Sequence, residues 1–282
     1  MKILTLNTHS IIEPDYEKKL FEFANMIKKV TPDVFALQEV NQSIAKPEFD
    51  LFVENGYVTC KEICPVIRID NHALRLDRLL RSYGVDYFWT WIPLKIGYDI
   101  YEEGLAIFSK TPIEEIREFY ISKSQTISNW KTRKVLGIKT NGRWFYNVHM
   151  GWWDDVEDPF KDQWDNVNKE LASMINGEEV HFMLGDFNAP AQIRGEAYDY
   201  VKDSGWFDTY ELAEKKDSGI TVGKIIDGWR ERMDDEAAEK GVRLDYIWIN
   251  QKVKVRSSKV IHNGEYYPIV SDHYGVVIEV EA

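Results

Sequence analysis

The amino-acid sequence predicts an α/β fold with polar groups collected along one edge of a sheet. Two amphipathic segments, residues 15–30 and 160–175, have apolar side chains at helical spacing and are separated by short apolar runs typical of buried strands. Most of these runs end in a carboxylate, an amide or a histidine. Alternating strands and helices build layered α/β proteins, whose ligands bind beyond the strand ends.

The chain opens with a strand, a helix and a second strand. Residues 3–6 are the first predicted strand and lead to Asn7. The helix at residues 15–30 ends before a proline. Residues 34–37 are a compact second strand that delivers Glu39 at its end. This order indicates a parallel strand pair with polar groups at one rim.

The later elements follow the same logic. Residues 40–71 show no regular pattern, and residues 192–241 combine short helical pieces with polar loops. Asn141 and Gly142 join two strand-like runs and indicate a β-hairpin. No linker or repeat interrupts the sequence, so residues 1–282 are predicted to form one domain. The other predicted elements are helices at 72–83 and 160–175 and strands at 86–92, 104–108, 116–122, 134–139, 143–148, 180–184, 244–249, 252–261 and 276–280.

Composition argues against a membrane protein and against a general nucleic-acid-binding surface. The 282 residues include 35 Lys and Arg and 47 Asp and Glu, which gives a net charge of −12. Nucleic-acid affinity depends on cationic side chains, so nucleic acid is disfavoured as a partner, although a local basic groove stays open. No apolar run could span a bilayer, and no signal peptide opens the chain. Cys60 and Cys64 match neither a redox nor a zinc motif, which favours a cytoplasmic location.

Residues 183–188 form the most informative candidate site. Asp186 and Asn188 stand two residues apart just after a buried strand, and side chains at that spacing point the same way in an extended chain. Mg²⁺ prefers such oxygen ligands and completes its shell with water and phosphate. A turn without function explains the hexapeptide equally well, because Gly, Asp, Asn and Pro are all turn residues. Similar side chains near other strand ends favour a site: Asn7, Glu39, His149, Asp245, Asp272 and His273.

Seven segments carry a resemblance to a known family. They span nearly the whole chain: Leu6-Asn7-Thr8, Leu37-Gln38-Glu39-Val40, Gly104-Leu105-Ala106-Ile107-Phe108-Ser109, Asn147-Val148-His149, Leu184-Gly185-Asp186-Phe187-Asn188, Arg243-Leu244-Asp245-Tyr246-Ile247 and Ser271-Asp272-His273. In this order they resemble the endonuclease/exonuclease/phosphatase family, which includes DNase I and the inositol-polyphosphate 5-phosphatases. The resemblance implies a four-layer α-β-β-α sandwich of two mixed sheets and a phosphoester hydrolase that uses Mg²⁺ or Mn²⁺.

The resemblance also implies which residues bind the metal and the attacking water. Glu39 is expected to be the principal metal ligand, supported by Asn7, and Asp272 is expected to be a carboxylate on the metal side. Asp186 and Asn188 are expected to hold or polarise the attacking water. A divalent cation fits this chemistry because a phosphate ester is itself anionic and repels a nucleophile.

The remaining expected roles concern the phosphate. His149 and His273 are expected to contact its oxygens or to act as acid and base, with Asp245 paired to His273. Tyr101 lies where some family members carry a phosphate-contacting tyrosine, and a packed loop residue is the alternative. Arg133 could clamp a phosphate, but a solvated charge at a strand edge is the favoured interpretation.

Two aromatic loops favour a sugar phosphate as the substrate. Trp152 and Trp153 precede two aspartates, and Trp229 follows Asp227. An indole packs on the apolar face of a sugar while carboxylates accept its hydroxyls, although tryptophans also anchor loops and stack on bases. The chain also resembles the firmicute branch of the family that contains maltose 6′-phosphate phosphatase, in five segments: Leu4-Thr5-Leu6-Asn7-Thr8-His9-Ser10, Gln38-Glu39-Val40-Asn41-Gln42, Ile96-Gly97-Tyr98-Asp99, Gly151-Trp152-Trp153 and Asp227-Gly228-Trp229. A small sugar-phosphate phosphatase is therefore predicted; the alternatives are a nuclease or other phosphodiesterase, and a non-catalytic binding module.

Overall fold

Two β-sheets lie face to face in the structure, a computed structural model that describes residues 1–50, 56–59, 64–175, 179–223 and 240–281. The strands are β1 (Lys2–Asn7), β2 (Val34–Ser43), β3 (Phe88–Gly97), β4 (Tyr101–Ser109), β5 (Glu115–Tyr120), β6 (Lys134–Thr140), β7 (Arg143–His149), β8 (His181–Asp186), β9 (Phe207–Asp208), β10 (Ala213–Lys216), β11 (Asp245–Ile249), β12 (Lys254–Ile261) and β13 (Gly275–Glu281). The helices are α1 (Tyr16–Val30), α2 (His72–Ser82), α3 (Phe160–Leu171), α4 (Ala197–Asp203) and α5 (Thr209–Leu212).

Both sheets mix parallel and antiparallel neighbours. One sheet has the strand order β10-β12-β13-β1-β2-β4-β3, and the other has the order β5-β6-β7-β8-β11-β9. The parallel pairs β1–β2 and β7–β8 lie near the middle of their sheets. Antiparallel strands flank each of these pairs. The centre of each sheet therefore places the carboxyl ends of two strands at the same edge.

Three apolar cores hold four layers together. Ile3 and Leu184 belong to the core between the two sheets. Phe23 belongs to the core that packs α1 and α2 on the outer face of the first sheet. Trp164 belongs to the corresponding core under α3 and α4 on the second sheet. The order helix, sheet, sheet, helix confirms the predicted α-β-β-α sandwich.

The central strands are apolar throughout because their successive side chains face two different apolar cores. Ile3 of β1 faces the other sheet, whereas its neighbour Leu4 faces the helices. Val34 and Phe35 of β2 divide in the same way. A strand covered on both faces reads as a continuous apolar run, which matches the sequence pattern at these positions.

Several strands are longer than predicted, and the extensions of β2 and β4 affect the site. β2 continues through Ser43, into a stretch predicted to be irregular, because a bulge at Glu39 (φ 51°) interrupts its pairing with β4 and lets the pairing resume at Val40. β4 begins at Tyr101, within a predicted loop, and pairs on both sides. Among the described residues, no helix has both the length and the apolar character needed to cross a membrane.

Candidate active site

Strand register brings three of the predicted residues side by side. Asp186, the last residue of β8, is the register partner of His149 in β7 and of Asp245 in β11. Asn7, the last residue of β1 in the other sheet, donates a hydrogen bond from Nδ2 to Asp186 Oδ2 at 3.1 Å. The ends of the two sheets therefore meet at the Asp186 carboxylate.

The Asp186 carboxylate is surrounded by nitrogen atoms. His149 Nε2 and His273 Nε2 each lie 3.7 Å from Asp186 Oδ2. Asn7 Nδ2 also donates to Glu39 Oε1 at 2.9 Å, which ties Glu39 to the same group. Asn7 Oδ1 accepts from the backbone N–H of His9 at 3.2 Å. Asn7 Nδ2 thus contacts both carboxylates, and the expected role of Asn7 in supporting the metal stays a prediction.

His273 and Asp245 form a buried pair. His273 Nδ1 lies 2.9 Å from Asp245 Oδ2, and both residues are almost completely buried. Burial opposes a positive charge on His273, but Asp245 and Asp186 outweigh it and raise the pKa of His273 well above its ordinary value. The pair holds the imidazole in one orientation with Nε2 directed toward Asp186.

A second carboxylate–histidine contact lies on the opposite side of Asp186. Glu103 Oε1 lies 3.5 Å from His149 Nδ1 and 3.2 Å from Lys95 Nζ. Burial opposes ionisation of Glu103, but Lys95, His149 and Arg133 outweigh it and lower the pKa of Glu103 to about 2. Glu103 is therefore a buried carboxylate beside His149, at a longer distance than the 2.9 Å that joins Asp245 Oδ2 to His273 Nδ1.

The turn after β8 depends on Gly185 and Asn188. Gly185 has φ 140°, and a Cβ at this position would collide with the backbone oxygen of Val148. Asn188 adopts φ 47°, donates from Nδ2 to the Met150 carbonyl at 2.9 Å, and donates from its backbone N–H to Asp186 Oδ1 at 2.8 Å. These contacts fix the Asp186 carboxylate from the backbone side.

These groups line an open cleft of about 350 Å³ between the sheet ends. The lining brings together carboxylates, the imidazoles of His149 and His273, the cations Lys95 and Arg133, and several aromatic rings. The lining residues are His9, Glu39, Lys95, Ile96, Gly97, Tyr98, Glu103, Trp130, Arg133, His149, Trp152, Asp186, Asn188, Asp272 and His273.

Comparisons with known proteins agree with this architecture. Residues 4–273 match the model of the Endonuclease/Exonuclease/phosphatase family. A solved structure of an endonuclease/exonuclease/phosphatase family protein from Leptotrichia buccalis C-1013-b is 32% identical, with 100% of both chains covered and a TM-score of 0.83. The chain belongs to the endonuclease/exonuclease/phosphatase family. Members of this family are phosphoester hydrolases and generally depend on a divalent metal.

More distant solved structures share the fold. A mannosyl-6-phosphatase from Bacteroides thetaiotaomicron VPI-5482 is 16% identical, with 100% of both chains covered and a TM-score of 0.66. A 3′ phosphatase from Neisseria bound to a product DNA hairpin is 17% identical, with 100% of both chains covered and a TM-score of 0.61. No curated protein sequence matches the chain. At these identities, likeness extends to the fold of the family and not to the substrate.

The donor set of the cleft fits the divalent cation on which family members depend. Burial, followed by the negative charges of Glu103 and Asp272, raises the pKa of Glu39. Such crowding of carboxylates favours a bound cation, and carboxylate oxygens suit Mg²⁺ or Mn²⁺. Asp272 is held in place by Ser271, whose hydroxyl lies 2.7 Å from the Asn7 carbonyl and 3.2 Å from Asp272 Oδ1. Asp186, Asp245 and His273 also have potential ligand atoms within 4.8 Å of one another.

The structure separates the predicted substrate-contacting aromatics. Trp152 lines the cleft, with its ring centroid 5.8 Å from that of Trp130. Trp153 does not line the cleft, because it packs against Phe160 and Tyr200 beside α3. The prediction of a substrate contact for Trp153 is therefore corrected to a packing role.

The other two predicted contacts differ again. Tyr101 lies outside the cleft lining, because it begins β4 and pairs there with Ser43 and Gly97. Its predicted contact with the substrate is thus not supported by the geometry. Trp229, with the rest of its loop, lies outside the described residues.

Arg133 is placed differently from the favoured interpretation. It is 3% exposed and lines the cleft, so it is not a solvated charge at a strand edge. Its Nη1 donates to the carbonyls of Trp130 and Thr132, which draws the guanidinium inward. The two carbonyls that it contacts lie on the loop before β6, which no periodic pattern in the sequence identifies.

Sequence reasoning assigned no role to Glu103, Lys95 or His9. Glu103 of β4 and Lys95 of β3 are register partners. This pairing could be predicted only if β4 were known to begin at Tyr101, in a stretch that the sequence indicates to be a loop. His9 has φ 47°, and its Nδ1 lies 2.6 Å from Glu13 Oε1. Its position two residues after Asn7 was the one signal available for His9.

Proposed function

We propose that this protein is a divalent-metal-dependent phosphomonoesterase that hydrolyses a phosphorylated sugar. The observation that carries the proposal is the juxtaposition of the aromatic pair Trp130 and Trp152 with the carboxylates and histidines at the bottom of one cleft. The two rings are tilted by 54°, and Trp130 is half exposed. A sugar can pack its apolar face against such a ring while its phosphate reaches the polar floor.

Two carboxylates of the cleft would hold the metal. Glu39 and Asp272 line the cleft and would bind Mg²⁺ or Mn²⁺. When bound there, such a cation would supply positive charge that offsets the charge of the phosphate and would favour ionisation of the attacking water. Asn7 keeps Glu39 and Asp186 in register with each other through its Nδ2 group.

Hydrolysis requires one proton to leave the water and one to reach the sugar oxygen. Asp186, held by the Asn188 backbone N–H, is placed to accept the proton of the attacking water. The water oxygen bonds to phosphorus, the bond from phosphorus to the sugar oxygen breaks, and that oxygen takes up a proton. The products are a sugar hydroxyl and inorganic phosphate.

The histidines would act on the phosphate from opposite sides. His273, kept protonated by Asp245, is placed to donate to the phosphoryl oxygens as negative charge builds on them. His149, oriented by Glu103, is placed to supply the proton to the leaving oxygen. Each imidazole thus has a carboxylate behind Nδ1 and Asp186 near Nε2.

A DNA 3′ end is the second candidate substrate. Its support is the named activity of the Neisseria structure and the ability of exposed tryptophans to stack on bases. The small number of basic side chains argues against a long nucleic acid as substrate. Lys95 and Arg133 are the only Lys or Arg side chains in the described cleft lining. Two adjacent cations match one phosphate better than a backbone of successive phosphates.

A substrate panel tests the proposal. Phosphate release is measured from mannose 6-phosphate, a disaccharide 6-phosphate and a 3′-phosphorylated oligonucleotide, and nicking is measured on supercoiled DNA, each with Mg²⁺ and with chelator. We expect Mg²⁺-dependent release from a sugar phosphate and no nicking. Preferred turnover of the oligonucleotide or the plasmid would contradict the proposal.

Two tryptophan variants sharpen the panel. Trp152→Ala is expected to raise KM for the sugar phosphate about 10-fold while turnover of a small aryl phosphate changes little, because a stacking contact is worth about 1–3 kcal/mol. Trp153→Ala is the matched control, since it removes a neighbouring indole that packs outside the cleft. Equal changes in KM for both variants would argue against a sugar platform.

A further inference from the structure

Lys95 and Arg133 are two buried cations without a role in the chemistry above. Lys95 lies on β3, with its side chain 12% exposed, and Arg133 lies just before β6 and is 3% exposed. Both line the cleft that also contains the carboxylates of Glu39, Asp186 and Asp272. Removing a charge from water is costly unless it gains a partner, so buried cations at a cleft need an explanation.

The described protein groups around Lys95 and Arg133 use only some of the hydrogen-bond donors of these two side chains. Lys95 has one ion pair among the described residues, with Glu103, which also serves His149. Arg133 forms no ion pair with a described carboxylate, and its Nη1 donates to the backbone carbonyls of Trp130 and Thr132 at 2.9 and 3.0 Å. Its Nε is buried with no hydrogen-bond partner in the described part of the chain. The guanidinium of Arg133 therefore keeps donor capacity that its described partners do not use.

We propose that Lys95 and Arg133 together bind the non-bridging oxygens of a phosphate monoester and so select monoesters over diesters. A monoester carries about two negative charges above its second pKa of about 6, whereas a diester carries one. A dianion in this cleft would gain positive charge both from Lys95 and Arg133 and from a cation held by the carboxylates that line the same cleft. Replacing one charged oxygen by an ester removes half of the charge that Lys95 and Arg133 attract.

The chemistry of the two side chains suits this division. A guanidinium presents several N–H donors in a plane and binds two oxygens of one phosphate, while an ammonium group acts as a compact point charge. The anchoring of Arg133 Nη1 to two carbonyls fixes the plane of the fork before any ligand arrives. This assignment deepens the proposed function and rests on it for the reaction, but phosphate binding can be measured without any sugar.

The alternative explanation is that Lys95 only neutralises Glu103. A matched control exists in Lys134, which is 4% exposed, lies 3.5 Å from Glu118 and belongs to no part of the cleft lining. Lys95→Gln and Lys134→Gln each remove a buried cation from a glutamate partner. A purely structural role predicts similar consequences for the two variants, and phosphate binding predicts different ones.

The test is calorimetric titration of the Mg²⁺-loaded protein with inorganic phosphate and with dimethyl phosphate at pH 8. We expect Lys95→Gln and Arg133→Gln each to weaken phosphate binding by about 10-fold or more, because a lost charge-assisted contact is worth at least about 1.4 kcal/mol. Binding of the monoanionic dimethyl phosphate should change much less, and Lys134→Gln should match the wild type. In parallel, the ratio of kcat/KM for p-nitrophenyl phosphate to that for bis(p-nitrophenyl) phosphate should fall by a similar factor.

Unchanged phosphate affinity, or equal losses for phosphate and dimethyl phosphate, would overturn the assignment. Circular dichroism and thermal unfolding check that each variant is folded. If Arg133→Gln does not fold, Arg133→Lys replaces it, because lysine keeps the charge but lacks the planar guanidinium. The assignment is then overturned if Arg133→Lys and Lys95→Gln both bind phosphate as tightly as the wild type. A wild-type protein that binds phosphate as expected but releases none from sugar phosphates would contradict the proposed function and leave the phosphate assignment standing.

Discussion

The six histidines of the chain occupy two contrasting environments. The members of one group line the cleft and have carboxylates as neighbours: His9, His149 and His273. The members of the other group are buried in other parts of the molecule, where Nδ1 contacts a neutral oxygen: His72, His181 and His262. The residue type is the same, and the neighbours differ.

The neighbours decide which of these imidazoles carry a charge. Burial opposes protonation of His9 and His273, but nearby carboxylates outweigh it, so the pKa of His9 rises to about 9 and that of His273 rises well above its ordinary value. Burial without such neighbours lowers the pKa of His72 to about 3 and that of His262 to about 4. Burial thus removes charge from a histidine, and a paired carboxylate restores it.

The largest expected effect follows from removing a cleft histidine. His273→Gln should lower kcat for the substrate by about 10³-fold, because a neutral amide replaces the positive charge opposite the phosphoryl oxygens. The measurement is steady-state turnover with saturating Mg²⁺ and substrate.

The core histidines supply the control for that experiment. His181→Gln removes an imidazole that lies against Tyr146 at the start of β8, far along the strand from Asp186. Its kcat should stay close to the wild-type value, with any cost appearing in the unfolding free energy. Wild-type turnover in His273→Gln, in a folded protein, would remove the distinction between the two groups.

This division also marks how far the sequence predicts the site. His149 and Asp186 end apolar runs, so pattern and strand polarity suffice to place them at one rim. The four-layer fold is predictable for the same reason, because its central strands are covered on both faces. Both predictions depend on local periodicity and on the order of motifs along the chain.

Contacts between distant segments are beyond such reasoning. Glu103 lies 3.5 Å from His149 in the part of β4 that pairs with β2 beyond the bulge at Glu39. Trp152 and Trp153 are adjacent and chemically equivalent in the sequence, yet only Trp152 faces the cleft. These outcomes are decided by tertiary packing of one residue against another, which one-dimensional patterns do not encode.

An intermediate effect is expected from changing the neighbour of a cleft histidine instead of the histidine itself. Glu103→Gln keeps the shape of the side chain but removes the charge that lies 3.5 Å from His149 Nδ1. We expect kcat to fall by about 10- to 100-fold, the usual cost of losing a group that orients a functional histidine. Affinity for inorganic phosphate should not weaken, because Lys95 and Arg133 keep their charges.

The control for this variant is Glu118→Gln. Glu118 is also a strand glutamate beside a buried lysine, Lys134, but it lies outside the cleft lining. Its kcat should remain near that of the wild type. If the two variants lose the same turnover, the loss comes from disturbing a strand ion pair, and the orienting role of Glu103 is refuted.

The smallest expected effect concerns a core histidine and the pH dependence of stability. His72 is buried at the start of α2, where its Nδ1 lies 2.9 Å from the Tyr16 hydroxyl. Its pKa is lowered by burial from 6.5 to about 3, so below pH 6.5 the unfolded chain binds a proton that the folded chain rejects. Stability is therefore lost as the pH falls from about 6.5 toward 3, by about 2 kcal/mol at pH 5.

His72→Gln isolates that contribution, because glutamine is neutral throughout and its amide can still bond to the Tyr16 hydroxyl. The unfolding free energy is measured by urea titration at pH 8 and at pH 5. Its decrease between these two pH values should be about 2 kcal/mol smaller in the variant than in the wild type. Groups that titrate in both proteins cancel in this difference, so it reports the position of one imidazole. Equal pH dependence in the two proteins would mean that His72 accepts a proton in the folded state. The proposed difference between core histidines, which are buried without a carboxylate, and the histidines of the cleft would then be refuted.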